Sequence, residues 1–158
     1  MKKMLIAIDG SRCALKAVDY VGQQFSGTRD LKITLLHVIP YPPAPLWDDG
    51  HILTTEEKEA REKVITKWLE NQRQKVEPIF KEAVRALTER GIEPQQIETR
   101  AISDSINVAE SILEETRNGG YPTLVLGRCG ISLSERFMGS VTSRIVNHGS
   151  GTAICIVE

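Results

Sequence analysis

The 158-residue sequence lacks the features that mark membrane-spanning, secreted and nucleic-acid-binding proteins. No apolar run approaches the ~18–20 residues that a bilayer-spanning helix needs. Asp9 interrupts the short apolar stretch near the N-terminus at the point where a secretory signal would continue. Lys and Arg number 20 against 21 Asp and Glu, and no run of five or more like charges occurs. The basic surplus typical of a protein that binds nucleic acid is therefore missing.

Cysteine is scarce. The sequence has three, Cys13, Cys129 and Cys155, which is an odd number, and they share no close spacing. This pattern is typical of a reduced, cytoplasmic protein. We predict that Cys13 and Cys155 are small buried apolar residues. For Cys129 two interpretations stay open, a passive loop residue, which we favour, and a redox-sensitive thiol with a lowered pKa.

The sequence also lacks the common catalytic signatures. It has no Gly-x-Ser-x-Gly elbow, no Cys-x-x-Cys pair and no Gly-x-x-x-x-Gly-Lys phosphate loop. His37, His51 and His148 have no ligand spacing between them, and residues 48–51 are too few for a calcium loop. No general base that could activate water is identifiable. We therefore predict no catalytic residue and no dedicated metal site.

Strand-like and helix-like segments alternate along the whole chain. Short apolar or β-branched runs predict five strands, at residues 5–8, 33–39, 97–102, 123–126 and 152–157. Helical periodicity occupies the intervals between them. Pro78 interrupts the long interval 55–90, which leaves one kinked helix or two shorter helices as alternatives. Ser103 or Asp104 is predicted to cap the helix after the third strand.

This alternation predicts the fold class. Strands joined by crossover helices form a mainly parallel sheet with helices on both faces. Since no linker, internal repeat or low-complexity tract divides the chain, we expect one α/β domain over residues 1–158. Five strands make it a doubly wound open sheet. Val64, Trp68 and Leu69 are predicted to cover the sheet, whereas Trp47 and its proline-rich loop form either a lid or, as the alternative, a partner contact.

Two polar segments, residues 9–11 and 127–130, follow the first and fourth predicted strands, at the edge where such sheets bind ligands. Gly127 and Gly130 permit backbone conformations that other residues resist and a close approach of the main chain to a ligand. Gly139 and Ser140 open a helix whose free N–H groups and positive dipole end favour an anion. These features predict a phosphate-binding loop.

Other residues of the two segments add to this interpretation. Ser140 and Thr142 offer hydroxyl groups, and Arg128 is a candidate phosphate partner. Asp9 can accept hydrogen bonds from a ribose or, through water, help to hold a divalent cation. The alternative is that both glycine clusters are plain strand-to-helix turns, with Ser140 as a helix cap and Arg128 in solvent.

At these residues the chain resembles the universal stress protein family. The resemblance rests on Ile8-Asp9-Gly10-Ser11, on Leu36-His37-Val38, and on the glycine-x-x-glycine and glycine-serine elements of the C-terminal third, and it covers nearly the whole chain. One feature departs from the family pattern. Eight residues, 131–138, separate Gly130 from Gly139, where the family's ATP-binding members have nine. Losing one residue either shifts Gly139 by ~3–4 Å or is absorbed at the loop tip.

The resemblance implies a sheet in the order 3-2-1-4-5 and a cytoplasmic, regulatory stress-response protein that binds ATP, with or without Mg²⁺, between strands one and four. It places Asp9 beside the ribose and the backbone of Val38 beside adenine. It also implies homodimerisation through the last strand, predicted to begin at Thr152 and end at Val157. Any ATP hydrolysis would be slow. The alternative is a ligand-free dimeric interaction module in which the shortened loop no longer binds ATP.

The predicted nucleotide-binding residues are Asp9, Gly10, Ser11, Val38, Gly127, Arg128, Gly130, Gly139, Ser140, Val141 and Thr142.

Overall fold

The computed structural model describes residues 2–46, 50–131, 138–149 and 151–158. Strands and helices alternate in these ranges as β1 (Lys2–Ala7), α1 (Arg12–Phe25), β2 (Leu31–Pro40), α2 (Thr55–Glu89), β3 (Ile97–Ser105), α3 (Val108–Asn118), β4 (Thr123–Gly127), α4 (Ser140–His148) and β5 (Ala153–Val157).

The five strands form one parallel sheet in the order β3-β2-β1-β4-β5. The predicted sheet and its strand order are therefore confirmed. β1 lies at the centre, where Ile6 pairs with Leu35 of β2 on one side and with Val125 of β4 on the other. The order of connection reverses between β1 and β4, so a crevice opens beyond the carboxyl ends of these two strands.

Helices cover both faces of the sheet, which explains the nearly continuous apolar sequence of the inner strands. Successive side chains of a strand point to opposite faces. Ile6 accordingly belongs to the core under α1 and α2, while Leu5 belongs to the core under α3 and α4. Both side chains are fully buried.

The region around Pro78 is one continuous helix, α2, with the proline inside it. A capping box starts the helix, in which Thr54 Oγ1 accepts from the Glu57 N–H and Glu57 Oε2 accepts from the Thr54 N–H, at 3.3 and 2.8 Å. Ala83 and Leu87 anchor its C-terminal part in the core. Within the described ranges no helix is both long enough and apolar enough to cross a membrane.

The prediction that Val64, Trp68 and Leu69 cover the sheet is wrong. Val64 is half exposed, and none of the three belongs to the core clusters formed by the described residues. The physical reason is length. A 35-residue helix extends ~52 Å, whereas the longest strand, with ten residues, extends ~33 Å. Only the C-terminal half of α2 can therefore lie on the sheet.

The predicted cap of α3 is also wrong. β3 continues to Ser105, which pairs with Pro40 after a bulge that follows Val38. The helix cap is Asn107, whose Oδ1 accepts from the Glu110 N–H at 3.3 Å. Pairing of Ser105 with Pro40 thus continues β3 past the polar residues that looked like a cap, with Asp104 at a φ of +60° within the irregular part of the ladder.

Candidate functional site

A cavity of about 210 Å³ lies beyond the carboxyl ends of β1 and β4. Apolar side chains and backbone form most of its wall: Ala7, Ile8, Ala14, Leu36, Val38, Val108, Ile112, Leu126, Ile131 and Val141. The remaining lining residues are Asp9, Gly127, Cys129, Gly130, Gly139, Ser140 and Thr142. The fold thus brings eight of the eleven predicted site residues to one cavity, the exceptions being Gly10, Ser11 and Arg128.

The turn after β1 presents Asp9 to this cavity. Asp9 Oδ1 accepts from the Ser11 N–H at 2.9 Å, which closes the turn. Gly10 has a φ of +81°, and a Cβ there would lie 3.0 Å from Ile79 Cγ1 of α2. Ser11 caps α1, because its Oγ accepts from the Ala14 N–H at 3.1 Å. Gly10 and Ser11 therefore shape the turn, and Asp9 is its cavity-lining member.

His37 supports the end of β1 from the neighbouring strand. Its Nδ1 donates to the Ile8 carbonyl at 2.9 Å, and its ring meets Phe80 of α2 edge to face. Val38 follows it, is buried, and lines the cavity. The pairing with β3 shifts register between Val38 and Pro40, directly after this residue.

The glycines after β4 serve close packing and not unusual backbone angles. Gly127, Gly130 and Gly139 are not among the described glycines with positive φ, so the unusual backbone conformation predicted for Gly127 and Gly130 is wrong. A Cβ on Gly127 would lie 2.5 Å from the carbonyl carbon and oxygen of Cys13 in α1. A Cβ on Gly130 would lie 3.2 Å from Asp9 Oδ2. The loop thus packs directly against both α1 and the Asp9 turn.

The first turn of α4 is tied to the same loop. The Gly139 N–H donates to the Arg128 carbonyl at 2.8 Å, and Thr142 Oγ1 donates to the Gly127 carbonyl at 2.9 Å. Thr142 is buried, so its hydroxyl is a structural clamp. The N–H groups of Ser140 and Val141 find no acceptor among the described residues. Since both residues line the cavity, this helix end presents its backbone N–H groups at the rim.

The two ends of the eight-residue spacer meet in the structure. A Cβ on Gly139 would lie only 3.2 Å from the Gly130 nitrogen. The shorter spacer therefore leaves the helix end beside the loop, on the same cavity as Asp9. Within the spacer, residues 132–137 lie outside the described residues, as does Trp47 of the predicted lid.

Arg128 is held at the end of the sheet. Its Nη1 pairs with Glu158 Oε1 at 2.8 Å, and its N–H donates to the Val157 carbonyl at 2.9 Å. It is not a cavity-lining residue. The structure thus places this predicted phosphate partner on the β5 side of the loop.

Cys13 and Cys129 form a disulfide, with their Cα atoms 5.7 Å apart. Cys13 is buried as predicted, but it is bonded to Cys129, so the prediction of a passive Cys129 is wrong. The two residues are 116 positions apart in sequence, and the packing of α1 against Gly127 at the end of β4 brings them together. Cys155 is the free cysteine, half-buried against the α1 and α2 core.

Sequence reasoning missed the α3 side of the cavity. Val108 and Ile112 line it together with Leu36 of β2 and Leu126 of β4. The apolar stripe of α3 was the available signal, but a stripe of this kind does not distinguish a core face from a cavity wall.

Comparisons with known proteins agree with this fold. The sequence model of the universal stress protein family matches residues 1–154. The chain belongs to the universal stress protein family. No curated protein sequence matches this universal stress protein significantly.

Solved structures resemble it over nearly their full length. Hypothetical protein MJ0577, the subject of a structure-based assignment of biochemical function, is 25% identical, with a TM-score of 0.66 and coverage of 99% of this chain and 94% of its own. A universal stress protein in complex with cAMP is 22% identical, with a TM-score of 0.61 and coverage of 99% and 96%. A family member from Arabidopsis thaliana with AMP bound is 17% identical, with a TM-score of 0.63 and coverage of 99% and 91%.

Proposed function

We propose that this universal stress protein binds an adenine nucleotide in the cavity at the ends of β1 and β4 and acts as a regulatory binding protein. One observation carries the proposal. A single cavity combines an apolar wall, a carboxylate at one side and, at another, N–H groups of a helix N-terminus that have no acceptor among the described residues. Related structures hold cAMP and AMP, which supports the choice of ligand class.

We infer that the apolar wall contacts the adenine base of the nucleotide and that the Asp9 turn contacts its ribose. Val38 and Leu36 of β2 provide an apolar surface for an adenine ring, and the backbone of Val38 lies at a break in the strand ladder. Asp9 uses Oδ1 to close its own turn, and Oδ2 is the oxygen that approaches Gly130. A carboxylate oxygen can accept from a ribose hydroxyl.

The N-terminus of α4 suits the phosphates. Backbone N–H groups and the positive end of the helix dipole favour an anion at this position. Ser140 is exposed and adds a hydroxyl. Gly139 lets this helix end lie close to the loop, since a Cβ there would be 3.2 Å from the Gly130 nitrogen.

The size of the cavity bears on which nucleotide binds. At about 210 Å³ it is smaller than the ~300–1,000 Å³ typical of sites that enclose a drug-sized ligand. We infer that it encloses the nucleoside, with phosphates at the rim. AMP, cAMP and ATP, the last with or without Mg²⁺, are all ligands that this arrangement admits.

Thermal unfolding with magnesium-ATP, AMP, cAMP and GTP tests the proposal. A ligand present at 100 times its Kd stabilises by ~2.7 kcal/mol, which raises the midpoint by roughly 5–10 °C in a domain of this size. Adenine nucleotides should give this rise and GTP should not. No rise at millimolar ATP, with protein freed of co-purified nucleotide, would favour the ligand-free interaction module instead.

The variant Ser140→Glu tests whether the phosphates bind at the N-terminus of α4. A carboxylate in the first turn of a helix interacts favourably with the helix dipole, so the variant should fold at least as stably as wild type. The same charge should repel the phosphates and abolish the nucleotide-induced rise. Ser140→Gln, similar in size but neutral, is the matched control and should keep most of it. Equal rises in both variants would exclude α4 as the phosphate site.

We also propose that two copies pair through β5. This strand hydrogen-bonds to β4 on one side and, among the described residues, has no strand on the other. Ile154 packs against the α3 and α4 core, while Ile156 is half-buried outside both core clusters. An apolar edge of this kind is protected when another copy covers it.

Sedimentation velocity tests the pairing. Wild type should sediment as a dimer, and Ile156→Lys should sediment as a monomer because it buries a charge at the contact. Ile52→Lys, at a position that is 94% exposed, is the control and should leave the dimer intact. A monomeric wild type at micromolar concentration would refute this part of the proposal.

A further inference from the structure

We propose that Cys13 and Cys129 form a reversible thiol–disulfide site that controls the affinity of the neighbouring cavity for its nucleotide. The inference rests on the proposed function for its ligand. The disulfide itself is observed in the structure, where it joins the first turn of α1 to the loop after β4.

The position of the bond supports this role. Cys129 lines the cavity between Gly127 and Gly130. Cys13 lies two residues after Ser11, at the end of the Asp9 turn. The bond therefore joins α1, just after the Asp9 turn, to the loop after β4, and both the turn and the loop line the cavity.

The non-covalent contacts between these segments are weak by comparison. Ser11 Oγ donates to the Cys129 carbonyl at 3.5 Å, which is at the outer limit of a hydrogen bond. Gly130 only approaches Asp9 Oδ2. When the disulfide is reduced, the position of Cys129 relative to the Asp9 turn depends on these contacts and on the seating of Gly127. We expect this part of the loop to become less well ordered.

The chemistry needs a low-molecular-weight disulfide of the glutathione type as the oxidant. One protein thiolate attacks a sulfur of that disulfide, forms a mixed disulfide and releases one small-molecule thiolate. The second protein thiolate then attacks the mixed disulfide at the protein sulfur, closes the Cys13–Cys129 bond and releases the other thiolate. Two electrons pass to the small molecule, and the two protons of the protein thiols end on the two released thiols. A small dithiol or two monothiols reverse the sequence.

Access to the bond runs through the cavity. Cys13 is 3% exposed and Cys129 is 7% exposed, so neither is open to general solvent. Because Cys129 lines the cavity, a thiol can approach it from there. A bound nucleotide would block this approach, so it should slow reduction of the bond.

The direction of the effect follows from preorganisation. The oxidised protein holds the loop in its binding position before the nucleotide arrives, whereas the reduced protein must order it on binding. We expect oxidation to raise affinity about 5-fold or more, at the low end of the range of coupling between two sites. By linkage, the nucleotide should favour the oxidised state by the same factor.

Titration calorimetry with AMP tests the coupling on protein equilibrated with glutathione disulfide and on protein equilibrated with dithiothreitol. Mass spectrometry after thiol alkylation measures the redox state of each sample. Wild type and the control Cys155→Ser should bind AMP about 5-fold more tightly when oxidised. Cys13→Ala should bind equally in both buffers, with the affinity of reduced wild type. If Cys13→Ala does not fold, the two states of wild type still give the answer.

The outcomes separate this inference from the proposed function. AMP affinities within twofold of each other in oxidised and reduced wild type would overturn the coupling while nucleotide binding stands. Failure of excess glutathione disulfide to close the Cys13–Cys129 bond would overturn the redox site itself. AMP binding in neither state would refute the proposed function and the coupling with it, even if alkylation shows the bond to be reversible. Slower reduction by dithiothreitol in the presence of AMP would support the coupling independently.

Discussion

Gly127→Ala should destabilise this protein even when no ligand is bound. A Cβ on Gly127 would lie 2.5 Å from the carbonyl carbon and oxygen of Cys13 and 2.8 Å from the Ala14 nitrogen. All three are backbone atoms of a helix packed on the sheet, so no side-chain rotation relieves the overlap. Overpacking costs ~1–3 kcal/mol, and a backbone clash should fall at the upper end.

This cost converts to a measurable shift in the unfolding midpoint. The entropy of unfolding is ~2.1 cal/mol/K per residue, or ~330 cal/mol/K for 158 residues. A loss of ~3 kcal/mol therefore lowers the midpoint by ~9 °C. Gly130→Ala is the matched control, because its Cβ would lie 3.2 Å from Asp9 Oδ2, the end of a side chain that can move. It should lower the midpoint by no more than ~3 °C.

Differential scanning calorimetry of ligand-free protein in reducing buffer makes the comparison without a contribution from the disulfide. If Gly127 were required only for a ligand, Gly127→Ala would unfold at the wild-type temperature and lose only the nucleotide-induced rise. A Gly127→Ala midpoint within ~2 °C of wild type, or an equal fall in Gly130→Ala, would refute the packing argument.

Three further predictions concern the scaffold. Leu87→Ala should cost ~2–5 kcal/mol in urea unfolding, because Leu87 is fully buried where α2 meets the core; a loss below ~1 kcal/mol would contradict that anchor. Hydrogen bonds from Thr54 hold the pKa of Glu57 below its ordinary 4.5, so its contribution to stability is present above pH 4.5 and is lost as pH falls through the lower folded-state pKa. Thr54→Ala should move that pKa part of the way back in an NMR titration, and an unchanged value would contradict the capping box. Lys32→Met should raise the pKa of Glu98, which the hydrogen bond and charge of Lys32 hold below 4.5; the same titration checks it, and an unchanged pKa would show that the pair does not form in solution.

Sequence patterns over a few residues predicted much of the fold. Residues such as Leu5 and Ile6 lie in a continuous apolar run because β1 is covered on both faces, and that run is visible in the sequence. The start of α4 at Ser140 and the turn after Asp9 follow from short-range glycine and capping signals. Where a prediction failed locally, as at the cap of α3, pairing between β2 and β3 overrode the capping preference.

The purpose of a residue was harder to predict than its place. Gly127 has the same sequence signature whether it accommodates a ligand or a neighbouring helix, and only the 2.5 Å approach to Cys13 decides between them. Val108 and Ile112 likewise have the same pattern in a filled core and in a cavity wall.

By itself the sequence determined which segments are strands and helices, the family to which they belong, and that Asp9 and Gly139 lie near strand ends on one edge of the sheet. These properties depend on periodicity and turn chemistry over a few residues. Tertiary structure alone decided that Cys13 and Cys129 are bonded, that Arg128 pairs with Glu158, and that only the second half of α2 covers the sheet. Those depend on contacts between residues far apart in sequence, whose distances are set only when the whole sheet and its helices have packed.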